Sequence, residues 1–173
     1  MRFLVKNEPF IELNIKRCRL MPRIDQLNAK GEFFLRGRSD DTLKLAGKRI
    51  GPAEIENVLM ELDGVVECAA IGVDDPSKGQ MLVVFVIPGG SAVDKPGFAG
   101  EVTSFADERL GRALRPSRVH VVRELPKTRT AKIMRRVLRG AYCGLPTGDL
   151  SSLDNPSALD VIRQAANEAS AAA

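Results

Sequence analysis

The chain has 173 residues, of which 44% are hydrophobic and 5% aromatic, and its formal net charge is +4. That length suits one domain with a tail, and the apolar fraction suffices for a core filled by Leu, Val and Ile rather than by rings. No apolar run approaches the ~20 residues of a membrane span, and Met1 to Lys6 is too short an apolar stretch for a signal peptide.

Three well-separated cysteines (Cys18, Cys68 and Cys143) and the single His120 read as reduced thiols and a structural imidazole. They exclude a zinc site of ordinary Cys/His spacing, and the expected location is cytoplasmic.

The first thirty residues show no clean period and read as an irregular stump. Glu32 to Gly37 reads as a strand, Asp40-Asp41 as a turn, and Thr42 to Ala46 as a second strand. Gly51-Pro52 opens a helix whose Ile55, Val58, Leu59 and Leu62 form one apolar stripe. Glu54 and Glu56 lie in its first turn, where they complement the helix dipole, and Asp63-Gly64 ends it. Val65 to Val73 and Met81 to Ile87 are β-branched, apolar runs that read as buried strands, with a loop over Asp74 to Gly79 between them. Pro88 to Gly100 is a Gly/Pro-rich connection.

Glu101 to Leu114 reads as a second helix, stopped by Arg115-Pro116, and Arg118 to Val122 as a short strand. A third helix is expected from near Lys132 to Ala141. Thr130 would cap it, Ile133, Met134, Val137 and Leu138 would be inward, and Arg135, Arg136 and Arg139 outward. Beyond Gly144 the chain is polar, with a modest helix over Ser157 to Glu168 and a frayed alanine end. The expected class is α+β: a small domain with a short antiparallel sheet flanked by helices, an irregular N-terminal stump and a flexible tail. The expected divisions are 1–36, 37–145 and 146–173.

Charge is distributed unevenly. Arg109 to Arg139 holds eleven Lys/Arg and one acid, Glu124, leaving 15 bases and 21 acids elsewhere. Such a field suits a solvated helix face, a polyphosphate ligand or nucleic acid. The last is disfavoured by the absence of Trp and by a single Tyr142, since no aromatic is interleaved with the cations to stack bases.

Two stretches carry the chemistry. One is Gly37-Arg-Ser-Asp-Asp-Thr-Leu-Lys-Leu-Ala-Gly-Lys-Arg-Ile-Gly-Pro-Ala-Glu-Ile-Glu56. The other is Leu125-Pro-Lys-Thr-Arg-Thr-Ala-Lys132-Ile-Met-Arg-Arg136. In this order they resemble the C-terminal domain of the AMP-forming acyl-CoA synthetases, over roughly Gly31 to Tyr142. The tail from Gly148 is similar to that of acetyl- and propionyl-CoA synthetases.

The resemblance implies two half-reactions. A carboxylate attacks the α-phosphate of ATP, giving an acyl-adenylate and pyrophosphate; the small domain then rotates and CoA displaces AMP. Lys132 would be the catalytic cation of the first step and Asp40 the hinge. Arg38 and Arg49 would contact the nucleotide and its phosphate. Gly47 would admit the pantetheine of CoA, and Arg109 (or Arg112) its 3′-phosphate. Mg would be bound in the large domain.

Two departures from the family pattern stand out. Ala131 replaces the glycine usual before the lysine, where a positive φ would cost on the order of 1 kcal/mol. Asp107 stands where the family meets the CoA phosphate. Neither a Gly/Ser/Thr-rich phosphate loop nor the family's upstream Gly-Asp signature is found, so most of the large adenylation domain is missing from this sequence. The expected partners are that domain, ATP, CoA and a short-chain carboxylate, with the isolated chain inactive and no membrane association. The alternatives are a non-catalytic module docking on a synthetase and a small basic nucleic-acid-binding protein.

Overall fold

The computed structural model describes residues 2–3, 11–12, 22–27, 33–38, 42–76 and 79–171, with side chains considered from Thr42 onward. The chain divides into two units, Met1–Thr42 and Leu43–Ala173. In the first, β1 (Arg2–Phe3) pairs antiparallel with β2 (Ile11–Glu12), and β3 (Pro22–Leu27) with β4 (Phe33–Arg38). The strand expected at Glu32 to Gly37 is present one residue later. Strands β1 to β3 occupy sequence that shows no alternation; strand pairing, rather than local pattern, forms them.

The second unit opens with a tight hairpin of β5 (Leu43–Leu45) and β6 (Lys48–Ile50), of which the sequence analysis expected only the first arm. Its two-residue turn holds Ala46 at φ 48 and Gly47 at φ 78, the doubly positive geometry that matches strand twist. Helix α1 (Pro52–Leu59) follows, with proline in its first turn. It ends before Asp63-Gly64. Gly64 (φ +88) makes the later turn into the sheet, and a Cβ there would lie 2.6 Å from that of Ala92.

The sheet is built on β8 (Gly79–Pro88), with β7 (Val65–Asp75) antiparallel on one side and β9 (Arg118–Val121) parallel on the other. The expected all-antiparallel sheet is therefore mixed. β9 reaches its place through α2 (Phe98–Leu110) and a 3-10 turn at Arg112–Leu114, and such a crossover permits parallel pairing. The two ends of the expected loop at Asp74 to Gly79 are strand: β7 and β8 pair out to Asp75 and Gly79.

Alternation along β8 separates two cores. Leu82, Val84 and Val86 pack with Leu43, Leu45, Ile55, Leu59, Phe98 and Val102. Val83 and Phe85 pack on the other face with Leu125, Val137, Leu138, Tyr142, Leu159 and Ile162. The second core joins α3 (Arg135–Cys143) to α4 (Ala158–Ala171). The tail expected to be flexible is therefore packed: Ala158, Leu159, Ile162 and Ala165 are buried, one apolar stripe at helical spacing. The α+β class stands, and no helix among the described residues is long and apolar enough to cross a membrane.

His120 stacks on Phe85 with ring centroids 5.2 Å apart, and its Nε2 lies 2.9 Å from the Tyr142 hydroxyl. Burial lowers its pKa from the usual histidine value, and the Arg118 charge adds to the shift. Protonation then favours the unfolded chain. Stability is complete above about pH 6.5 and declines as pH falls below it.

Two outcomes follow. Urea midpoints compared at about pH 7.5 and 5.5 will show this loss in the parent and less of it in His120→Gln. Ile162→Ala will cost ~2–5 kcal/mol by urea denaturation, whereas a loosely attached tail would lose almost nothing.

Candidate functional site: the loop that carries Lys132

The segment from Pro126 to Met134 folds back on itself. Met134 N–H donates to Pro126 O (2.8 Å), Thr128 N–H to Lys132 O (2.9 Å) and Ala131 N–H to Thr128 O (2.8 Å). Lys127 and Ile133 form an antiparallel bridge. This is a hairpin-like turn closed by one residue in the left-handed region, the position a bulge normally gives to glycine. Ala131 occupies it at φ 59, as the departure from the family pattern implied. Lys132 N–H donates to Thr128 Oγ1 (3.2 Å), so Lys132 lies on the return arm.

The expected helix start is corrected. α3 begins at Arg135, its N-cap is Met134, and no side chain caps it; Thr130 Oγ1 instead meets Thr128 Oγ1 at 3.0 Å. Lys132 therefore sits in the loop, exposed. Its ammonium has no hydrogen-bond or ion-pair partner among the described residues.

The base of the loop is fixed from two sides. Asn155 accepts from Lys127 N–H (2.9 Å) and donates to Leu125 O (2.9 Å) and Glu124 Oε2 (3.0 Å). Thr128 also bridges to Leu153, and Asp154 N–H donates to Lys127 O. On the other side, Arg135 is not outward-facing as expected. Its Nε donates to Glu56 Oε1 at 2.8 Å and its Nη2 to Glu56 Oε2. Glu56 is only 7% exposed, and its Oε1 also accepts from Ala70 N–H at 2.9 Å. A buried carboxylate is tolerated only with such partners. The Glu56 charge and burial, burial being the larger cause, push the neighbouring Cys68 thiol up to about 12.

This pair joins the two sequence motifs, 79 residues apart in the chain. The apolar pattern alone does not reveal this pair, although a signal is present: Pro52, Ile55, Glu56 and Leu59 are the buried positions of α1, and their spacing places Glu56 on the inward stripe.

Five of the eleven cations of the basic stretch are held in ion pairs. Arg109 pairs with Glu61, Arg115 with Asp107 (3.9 Å), Lys127 with Glu67 (2.6 Å), Arg135 with Glu56 and Arg139 with Asp74 (2.9 Å). Arg109 also lies over the Phe105 ring. Lys132 is left as a prominent uncompensated cation, while the pairing weakens a continuous polyanion surface.

The remaining site residues are dispersed. Gly47 and Arg49 share the β5–β6 hairpin, Arg49 is exposed, and a Cβ on Gly47 would meet nothing within 4 Å. The turn's φ therefore demands glycine there, and the space above it is open. Arg38 ends β4, with its side chain outside the described set. Asp40 lies outside the described residues. Among the described residues no group of His, Cys, Asp and Glu is placed to hold a metal, so no role is assigned to one here.

A model of the AMP-binding enzyme C-terminal domain matches residues 54–132, from the first turn of α1 to Lys132 itself. Residues 54–132 belong to the AMP-binding enzyme C-terminal domain family. An acetyl-coenzyme A synthetase of Methanothrix soehngenii is 42% identical over 137 residues, covering 79% of this chain and 20% of the relative. A propionate–CoA ligase of Escherichia coli is 40% identical over 146 residues, 82% of this chain and 23% of the relative. A solved acyl-CoA synthetase from Brucella canis aligns with a TM-score of 0.56 at 34% identity, covering 65% of this chain and 21% of that one. The chain thus spans about a fifth of the length of these relatives.

Two substitutions probe the loop. Ala131→Gly will raise stability by about 0.5–1 kcal/mol in urea melts, because relief at positive φ exceeds the entropy of the added glycine. Glu56→Ala, which removes the buried carboxylate that Arg135 and Ala70 N–H share, will cost on the order of 3 kcal/mol in the same assay.

Proposed function

We propose that this domain is the mobile lid of an AMP-forming, short-chain acyl-CoA synthetase, acting on ATP, a carboxylate and CoA. The observation that carries this is an exposed ammonium, with no partner among the described residues, on the return arm of a loop whose base is clamped by Glu56, Arg135 and Asn155. Within this reading residues 37–145 are the lid proper, 1–36 a remnant of the large domain, and 146–173 the tail that braces the loop.

In the first half-reaction, charge accumulates on the carboxylate oxygen and the α-phosphate as they bond. Lys132, delivered by a loop whose base does not yield, stabilises that state selectively. Its four-carbon stem lets the cation withdraw once pyrophosphate has left. Rotation about Asp40 then replaces the Lys132 face with the β5–β6 hairpin. In this second state Gly47 admits the thiol-bearing arm of CoA, and Arg49 meets phosphate oxygens. The acyl pocket and the metal-assisted binding of ATP belong to a large domain, within the same polypeptide or another.

Resemblance to acetyl- and propionyl-CoA synthetases supports a short-chain acid. The loss of positive charge to five ion pairs favours this reading over nucleic-acid binding.

The test is reconstitution with a large adenylation domain of an acetyl-CoA synthetase. These 173 residues by themselves will release no acetate-dependent pyrophosphate, since an ammonium cannot act on substrates that nothing holds. With the large domain, adenylation will appear, and Lys132→Ala will reduce it by at least about 100-fold while leaving thioester formation from preformed acyl-adenylate largely intact. Unchanged adenylation in Lys132→Ala overturns the assignment.

A further inference from the structure

A second region of the domain can hold a ligand. A cleft of about 390 Å³ lies among residues of α3, α4 and all three strands of the sheet. It belongs to the C-terminal part of α3, whereas Lys132 precedes the first turn of that helix. Its lining is of two kinds: Val73, Met81, Leu145 and Ala166 are apolar, while Arg118 and Arg139 bring two guanidinium groups. We propose that this cleft binds a monocarboxylate with an apolar body, the guanidinium groups holding the carboxylate and the apolar lining receiving the body.

Three features support this. First, positive charge is available. Arg118 is half-buried, and it interacts with the neutral Tyr142 hydroxyl rather than with an acid. A guanidinium withdrawn from water without a counter-charge is costly, and a bound carboxylate supplies one. Arg139 gives its Nη2 to Asp74 Oδ2 at 2.9 Å, but its buried Nε makes no hydrogen bond among the described residues. The Cys143 sulfur beside it is a weak acceptor.

Second, the apolar part of the lining is accessible. Val73 and Met81 are register partners on β7 and β8, on the face of the second core. Leu145 is a large apolar side chain left half exposed. Together they give a hydrocarbon body a place out of water, and the volume suits a small organic molecule.

Third, the charge selects a single negative group. The planar fork of a guanidinium matches the two oxygens of a carboxylate. Asp74 also lines the cleft, so a phosphate dianion or a dicarboxylate would bring its second charge toward an acid. The site involves neither Lys132 nor the β5–β6 hairpin, so it stands or falls separately from the adenylation role.

The experiment is calorimetric titration of the 173-residue protein with octanoate, benzoate, acetate, octanol and inorganic phosphate. Octanoate or benzoate should saturate below about 10 mM, well ahead of the other three; which of the two binds better gives the shape of the body. Arg118→Gln and Leu145→Asp should each weaken binding by about tenfold or more, while Arg163→Gln, on the exposed side of α4, should not. A local readout is the half-buried Cys143. Its alkylation by iodoacetamide, followed by peptide mass, should slow about fivefold or more at saturating ligand.

Thermal melts will show whether the variants are folded, and Leu145→Asp changes a side chain that is already exposed. The proposal is overturned by no saturation up to about 10 mM, by acetate, octanol or phosphate binding as tightly as octanoate, by equal weakening in Arg163→Gln, or by Cys143 alkylation that ligand leaves unchanged.

Discussion

The Glu56–Arg135 pair is the constraint on which the rest of the domain depends. A carboxylate at the base of a hydrophobic stripe is costly unless its oxygens are occupied. Here both are: Oε1 accepts from Arg135 Nε and Ala70 N–H, and Oε2 from Arg135 Nη2. Those contacts fix α1 to β7 and fix the start of α3 to both. Lys132 lies three residues before Arg135, so its loop leaves the body from a point that cannot drift. A mobile cation then has a defined origin, which is what electrostatic stabilisation of a brief state requires.

The sheet makes this arrangement possible by serving two cores. Successive residues of β8 point to opposite faces, so α1 and α2 are held by one set of side chains and α3 and α4 by the other. The Lys132 loop joins the sheet to the second of these layers. α4 supplies the last wall of that core, and just before it Asn155 satisfies the loop's backbone. The tail is thus part of the apparatus that supports the lysine. Without it, Leu125 O and Lys127 N–H would lose their partner, and Val137 and Leu138 part of their cover.

Charge placement divides the domain's functions. Five of the eleven cations in the basic stretch are held in ion pairs, with Glu61, Asp107, Glu67, Glu56 and Asp74. Lys132, on the return arm of its loop, and the exposed Arg112 are among those left over. The count of cations in that one stretch therefore overstates the field that a ligand would meet, because neutralised pairs contribute little beyond a Debye length.

Much of this was readable from residue order. The helix opened by Pro52, the apolar runs of β7 and β8, and the likeness of the Leu125 to Arg136 stretch are local patterns with local causes. The strain at Ala131 was also legible, because a residue with a Cβ stands where a loop of this kind takes glycine. Other features were not. The parallel placement of β9, the second arm of the Gly47 hairpin, the inward turn of Arg135 and the burial of α4 all depend on groups far apart in sequence. Periodicity records which face of an element is apolar but not what that face meets. By itself the sequence determined the elements, the family likeness and the candidate lysine. Only the tertiary structure decided which charges are consumed and what holds the loop, because pairing and burial are settled where distant segments meet in space.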